Sequence, residues 1–287
     1  MPKALKNIID FSPDLIIAGP LHTTNVLYAS LFKKLTQAKL LINPCFHPTD
    51  PDFNGFLLRK VLKTADYIWT LTKFETNYFQ NQSLPPQKLL LLGNGVDASL
   101  LLKTEKHFSK IQTKILYIGS FAAHKGLDTL IDSLSFLPAS VSLTLAGQPS
   151  LYFPIIQKQI SSLPLSLKKR INIIKNFPDS HLSRLIDSST ILILPSRQES
   201  FGLVLIEAMA RKTPIITSDI PELRELVNNS QAGLTFKTDN PQDLARQVKY
   251  LISHPKLQKS FGESGFNYVS THYTWDKIGK NLCQKLF

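Results

Sequence analysis

Short, continuous apolar runs alternate with longer stretches of helical periodicity from one end of the chain to the other. Runs of this kind, bounded by turn residues, read as strands buried on both faces, and the stretches between them read as helices. In the first third the pattern predicts strands over Asp14–Gly19, Lys39–Asn43, Tyr67–Leu71 and Lys88–Leu92. Helices are predicted between them, over Thr24–Leu35, Gly55–Thr64 and Lys73–Gln80. Asn94-Gly95-Val96-Asp97 then reads as a turn and the polar residues 98–113 as a linker. Beyond it, strands are predicted over Lys114–Gly119, Val141–Gly147, Ile171–Ile174, Ile191–Leu194 and Pro214–Thr217. The intervening helices cover Gly126–Phe136, Tyr152–Ser162, His181–Ser188, Phe201–Ala210 and Glu222–Val227. Three helices, Asp243–Ile252, Lys256–Val269 and Trp275–Leu286, close the chain. Alternation of this sort implies α/β architecture with parallel sheets.

Composition adds size and charge to this picture. With 287 residues, 43% hydrophobic and 19% charged, the chain is long enough for two domains. No segment approaches the ~18 apolar residues of a membrane span, and the N-terminus has no apolar signal core. Cys45 and Cys283 lack metal-ligand spacing and read as reduced core thiols of a cytoplasmic protein. The net charge is +12 and uneven: +3 over residues 1–102 and +9 over residues 103–287. Apart from Lys168-Lys169-Arg170 the cations are scattered without interleaved aromatics, which argues against nucleic acid. Two readings of the excess stay open: a solvated basic surface, or peripheral contact with an anionic membrane at its inner face.

The densest chemistry lies in Pro195-Ser196-Arg197-Gln198-Glu199-Ser200-Phe201-Gly202-Leu203-Val204-Leu205-Ile206-Glu207-Ala208-Met209-Ala210. Two glutamates stand eight positions apart around a strand-to-helix turn. From Phe201 to Ala210 every residue but Glu207 is apolar or glycine, so the helix is expected to be buried on most sides. An unpaired carboxylate there would cost several kcal/mol, roughly, and needs a partner or a polar ligand. Glu199 precedes the first free amides, near Phe201, Gly202 and Leu203, which form a seat for an anion. Two carboxylates flanking an anion seat suit a ligand with hydroxyls at both ends and phosphate between, as in a nucleotide-sugar. The competing reading is a buried helix whose glutamates only cap and pair.

The segment PSRQESFGLVLIEAMARKTPIITSD, with its E-x7-E spacing around F-G-L, resembles the retaining GT-B glycosyltransferases of glycosyltransferase family 4, the glycosyl transferases group 1. The resemblance implies two Rossmann-like, doubly wound parallel-sheet domains. It divides the chain into a partial acceptor-side domain over residues 1–102, a nucleotide-sugar-binding domain over 103–270, and a C-terminal helix over 271–287 that crosses back to the first domain. The family opens with a strand and a Gly-rich loop. None precedes Asp14, and glycine supplies only 12 residues. The first domain is therefore expected to be incomplete and the chain N-terminally truncated.

The resemblance also implies roles. Gly119-Ser120-Phe121-Ala122-Ala123-His124-Lys125-Gly126 matches the family's G-R-L-x-x-x-K-G segment, whose cations clamp the donor diphosphate. Lys125 keeps its place, whereas Ser120 stands where the family usually has arginine. His124 reads as a surface neighbour rather than a substitute. Glu207 would hold the ribose hydroxyls and Glu199 the hydroxyls of the transferred sugar, while Phe201, Gly202 and Leu203 offer amides to the diphosphate. Arg197, just before Glu199, could pair with it but is expected to face solvent, and Gly147-Gln148-Pro149 to be a structural turn near the base. His47, and less directly His22, are candidates for the acceptor side, with plain loop histidines as the alternative. No cofactor and no metal are implied; Asp50-x-Asp52 has no third ligand nearby. The expected activity is transfer of a sugar from a UDP- or GDP-sugar to a saccharide, lipid or other hydroxyl acceptor, with retention and without a protein nucleophile. The alternative is a non-catalytic nucleotide-sugar-binding subunit that needs a partner.

Overall fold

The computed structural model describes residues 2–21, 23–45, 56–108 and 112–286. Among the described residues every strand pairs in parallel, as the continuous apolar runs require. The chain forms two units, Met1–Gly93 with Lys280–Phe287, and Asn94–Gly279.

In the first unit α1 (Pro2–Phe11) leads into β1 (Leu15–Ala18), α2 (Thr24–Thr36), β2 (Lys39–Ile42), α3 (Phe56–Thr64), β3 (Tyr67–Thr70), α4 (Lys73–Asn81) and β4 (Leu89–Leu91). The sheet order is β1-β2-β3-β4. Leu40, Ile42 and Ile68 of the sheet pack with Val26, Ala29, Val61, Leu62 and Phe79 of the helices to make this unit's core. The expected strands and helices recur within a residue or two; α1 was not expected from the sequence pattern. Neither cysteine is a core thiol. Cys45 is half-buried and Cys283 exposed, and both are free.

The second unit runs β5 (Thr113–Ile118), α5 (Leu127–Ser133), β6 (Val141–Gly147), α6 (Phe153–Ser162), α7 (Leu165–Lys168), β7 (Ile171–Lys175), α8 (Leu182–Asp187) and β8 (Ile191–Leu194). It continues through α9 (Leu203–Ala210), β9 (Ile215–Ser218), α10 (Pro221–Ser230), β10 (Gly233–Phe236), α11 (Pro241–Ile252) and α12 (Pro255–His272). Helix α13 (Trp275–Leu286) ends the chain, its residues from Lys280 onward belonging to the first unit. The sheet order β10-β9-β8-β5-β6-β7 places the unit's first strand, β5, in the middle, beside β8. The winding direction reverses there. In open parallel sheets the loops at the carboxyl ends of such a strand pair diverge and leave a crevice for ligand.

Three features differ from the sequence reading. The run Gly233-Leu234-Thr235-Phe236 is an added edge strand, only half-buried up to Phe236, so it lacks the apolar signature of an interior strand. Gly233 permits its close pairing, because a Cβ there would lie 1.9 Å from the Ile215 carbonyl oxygen. Helix α7 occupies four residues that carry too little periodicity to show. Helix α9 begins at Leu203 rather than Phe201, because Gly202 takes a left-handed conformation, φ 81° and ψ 55°.

Candidate functional site

The two segments that follow β5 and β8 hold most of the residues singled out above, and the sheet order makes them neighbours. After β5 the chain runs through Gly119 and Ser120 and a 3₁₀ turn at Ala123–Lys125 to Gly126. After β8 it runs through Pro195 and Glu199 to Gly202. The segments touch directly. The Arg197 amide donates to the His124 carbonyl at 2.7 Å. Gly126, at φ 66°, sits so close to Pro195 that a Cβ would lie 2.0 Å from its carbonyl oxygen. The turn after β6 supports the first segment from the other side. Phe121 N donates to Gln148 O at 2.9 Å and Ser150 Oγ to Phe121 O at 2.6 Å, so Gly147-Gln148-Pro149 serves as a structural turn.

This contact unites residues 74 positions apart. Lys125 Nζ donates to Glu199 Oε1 at 2.6 Å, with both side chains largely shielded from water. The same Glu199 oxygen accepts from Ser196 Oγ at 3.1 Å. Below the pair, Tyr117 is fully buried and donates to Ser120 O at 2.7 Å. Burial, reinforced by the Glu199 charge, drives the Tyr117 phenol far above its ordinary pKa, so it stays a neutral donor. Ser120 brings no cation to this segment, so Lys125 is the charge that the β5 segment contributes to the pair.

Helix α9 carries the other half of the site. Leu205, Ile206, Ala208, Met209 and Ala210 are buried, and Phe201 packs edge-on against Tyr273 with ring centroids 5.4 Å apart. Leu203 is exposed at the helix mouth. The amides of Phe201, Gly202 and Leu203 donate no hydrogen bond among the described residues, as expected of a helix start. Gly202 is hemmed by apolar atoms, with Leu205 Cδ1 and Leu223 Cδ2 each 3.0 Å from where its Cβ would be. Glu207 is half-buried, and among the described residues no Lys or Arg pairs with it and no hydrogen bond reaches its carboxyl. Burial raises its pKa from 4.5 to about 7, with a further contribution from the charge of Asp179, which follows β7. A carboxyl in this state lacks the internal cation that would mark it as purely structural.

Arg197 corrects the sequence reading. It does not face solvent as a free cation. Its Nη2 donates to Asp128 Oδ2 and its Nε to Asp239 Oδ1, both at 2.7 Å, and its Nη1 to the Ala123 carbonyl at 2.6 Å. The bond to Asp128 and its charge, with those of Asp239, hold its pKa above the ordinary arginine value against the opposing effect of burial. Neither aspartate carried a signal in the sequence, since Asp128 opens a helix and Asp239 lies in a turn 42 residues beyond Arg197. Glu222, buried at the start of α10, was also missed. Burial raises its pKa, with Glu199 and Glu225 adding to the rise. His22 and His47 lie outside the described residues, as do Asp50 and Asp52. Among the described residues no three His, Cys, Asp or Glu side chains gather as a metal site would need. No helix there is long and apolar enough to cross a membrane.

Comparison with known proteins follows the same lines. An uncharacterized glycosyltransferase of Methanocaldococcus jannaschii is 26% identical over 227 residues, 77% of this chain and 59% of that one. The O-antigen chain mannosyltransferase of Salmonella typhimurium is 24% identical over 280 residues, 96% of this chain and 74% of that one. The chain thus spans between about three-fifths and three-quarters of these relatives. Among solved structures, Anabaena HepE in complex with UDP superposes with a TM-score of 0.85 at 18% identity, over 99% of this chain and 81% of that one. Sucrose-phosphate synthase from Thermosynechococcus elongatus gives 0.81 at 19% identity, over 99% and 76%. The two parallel-sheet units accordingly have the GT-B fold. Residues 102–268, more than half of the chain and all of the segment that brings Lys125, Glu199 and Glu207 to one end of a sheet, match glycosyl transferases group 1, and the chain belongs to that family.

Proposed function

We propose that this chain transfers a sugar from a UDP- or GDP-sugar to a hydroxyl of a saccharide, lipid or other acceptor, with retention at the anomeric carbon. The observation that carries the reading is Glu207, a half-buried carboxyl on an apolar helix with no partner among the described residues. Vicinal ribose hydroxyls would satisfy it by donating two hydrogen bonds. The diphosphate would then lie against the amides of Phe201, Gly202 and Leu203, where helix α9 presents its positive end. Lys125 would turn from Glu199 to the phosphate, and Glu199, so released, would accept from hydroxyls of the transferred sugar.

In the transfer itself the bond from the anomeric carbon to the diphosphate breaks as the acceptor oxygen bonds on the same face, and the acceptor's hydroxyl proton passes to the departing diphosphate oxygen. Lys125 and the α9 amides stabilise the charge developing on the departing diphosphate, a task that needs neither a metal nor a protein nucleophile in this reading. In this reading the donor-binding domain expected over residues 103–270 falls within the unit Asn94–Gly279, and the first unit is the acceptor side to which His47 is assigned. The +12 charge favours work beside an anionic membrane surface. Calorimetric titration with UDP- and GDP-sugars tests the site. Binding of one of them, weakened by roughly 1–3 kcal/mol in Glu207→Ala, is the expected result. Equal affinity in the two proteins would exclude Glu207 from the donor site.

A further inference from the structure

We infer that Arg197 is a positioning residue that holds the Lys125 and Glu199 segments together while Lys125 leaves Glu199 for the donor diphosphate. The inference rests on the donor site proposed above and concerns how that site keeps its shape. Among the described residues, two of the side-chain ties between the segments after β5 and β8 bear on this step. One is the Lys125–Glu199 pair, at 2.6 Å. The other is Arg197, which sits two residues before Glu199 and bonds to the Ala123 carbonyl, two residues before Lys125. Arg197 also bonds to Asp128, three residues after Lys125, and to Asp239 in the turn before α11.

The first tie cannot serve both states of the site. A lysine has one ammonium on a flexible stem, and when that ammonium moves to phosphate its bond to Glu199 lengthens or breaks. Arg197 differs in kind. Its planar guanidinium makes three bonds in fixed directions, none of them to Lys125 or Glu199, so they persist when that pair opens. The network is braced further by Thr129 Oγ1, which reaches Asp239 Oδ1 at 3.4 Å. Asp239 stands at φ 60° in this turn, and its Oδ1 accepts from Arg197 Nε. The segments can thus be held at one spacing while the lysine changes partner. A tie that acted only on folding would affect every ligand of the site alike. A tie that places Lys125 matters most for ligands carrying the second phosphate.

The test compares the wild-type chain, Arg197→Gln, Arg197→Lys and Asp239→Asn by calorimetric titration with UDP, GDP, UMP and GMP. Arg246→Gln, which removes an exposed arginine paired with Asp243 on α11, is the control for loss of charge. Arg197→Gln should bind the preferred nucleoside diphosphate about tenfold more weakly, with its monophosphate changed less than about twofold. Arg197→Lys should fall between, because it keeps the charge without the fork. Equal losses for diphosphate and monophosphate, or no loss, would overturn the positioning role. If Arg197→Gln does not fold, Asp239→Asn decides. A selective diphosphate loss of about two- to fivefold, the scale of one exposed ion pair, supports the inference, and none overturns it. A wild type that binds no nucleotide refutes the donor site itself, a result distinct from the other two.

Discussion

Replacing Glu207 by glutamine keeps the outline of the side chain and removes its charge, and the structure predicts opposite effects on the free and the liganded protein. In the free protein the carboxyl titrates near 7 instead of 4.5, because α9 buries it and Asp179 adds a like charge. That difference corresponds to about 3 kcal/mol. Between those pH values the folded protein keeps a proton that the unfolded chain releases. The stability this group contributes is therefore full below pH 4.5 and lost as pH rises through 7. Glutamine never ionises. Glu207→Gln should raise stability at pH 5 by no more than about 1 kcal/mol and at pH 8 by up to about 3 kcal/mol. The liganded protein should respond the other way. An ionised carboxylate accepts from two hydroxyls, whereas an amide offers one acceptor oxygen, so nucleotide affinity should fall by roughly 1–3 kcal/mol, or about five- to 150-fold. Urea unfolding at pH 5 and 8 reads the first effect, and calorimetric titration with UDP and GDP at pH 8 reads the second. A variant no more stable than wild type at pH 8 would refute the burial argument. One that binds as tightly would refute the assignment of Glu207 to the ligand.

Lys125→Ala should slow the transfer step by about 100-fold if its ammonium stabilises the departing diphosphate, measured as steady-state release of nucleoside diphosphate; an unaltered rate would remove it from the chemistry. Gly126→Ala combines a left-handed backbone, φ 66°, with a Cβ 2.0 Å from the Pro195 carbonyl oxygen. It should cost about 2–4 kcal/mol in urea unfolding, and a loss below about 1 kcal/mol would mean that the two segments part easily. Lys106 offers a pH test away from the site. Its amine donates to Ile186 O at 2.8 Å and to Thr213 Oγ1, and burial lowers its pKa from 10.5 to about 8. The unfolded chain therefore holds a proton over that range that the folded protein has released, and stability rises with pH across it. Wild type should gain up to about 3 kcal/mol from this group between pH 8 and 10.5, and Lys106→Met should lack the gain.

The hydrophobic pattern alone determined the class of fold, because a strand buried on both faces needs a continuous apolar run and β8, all four residues buried, has one. It also located the turn with two glutamates, since a lone carboxylate in an otherwise apolar helix is conspicuous in any sequence. The edge strand β10 escaped notice for the complementary reason: half-buried residues carry no such run. Partnership was decided by tertiary structure. That Lys125 meets Glu199 follows from the order of strands, which sets β5 beside β8, and no local propensity encodes that order. The same holds for Arg197, whose partners Asp128 and Asp239 lie 69 and 42 residues away. Residue types and their spacing along the chain could suggest which chemistry was present. Which charges neutralise one another, and which is left for a ligand, depends on distances in space that only the folded sheet sets.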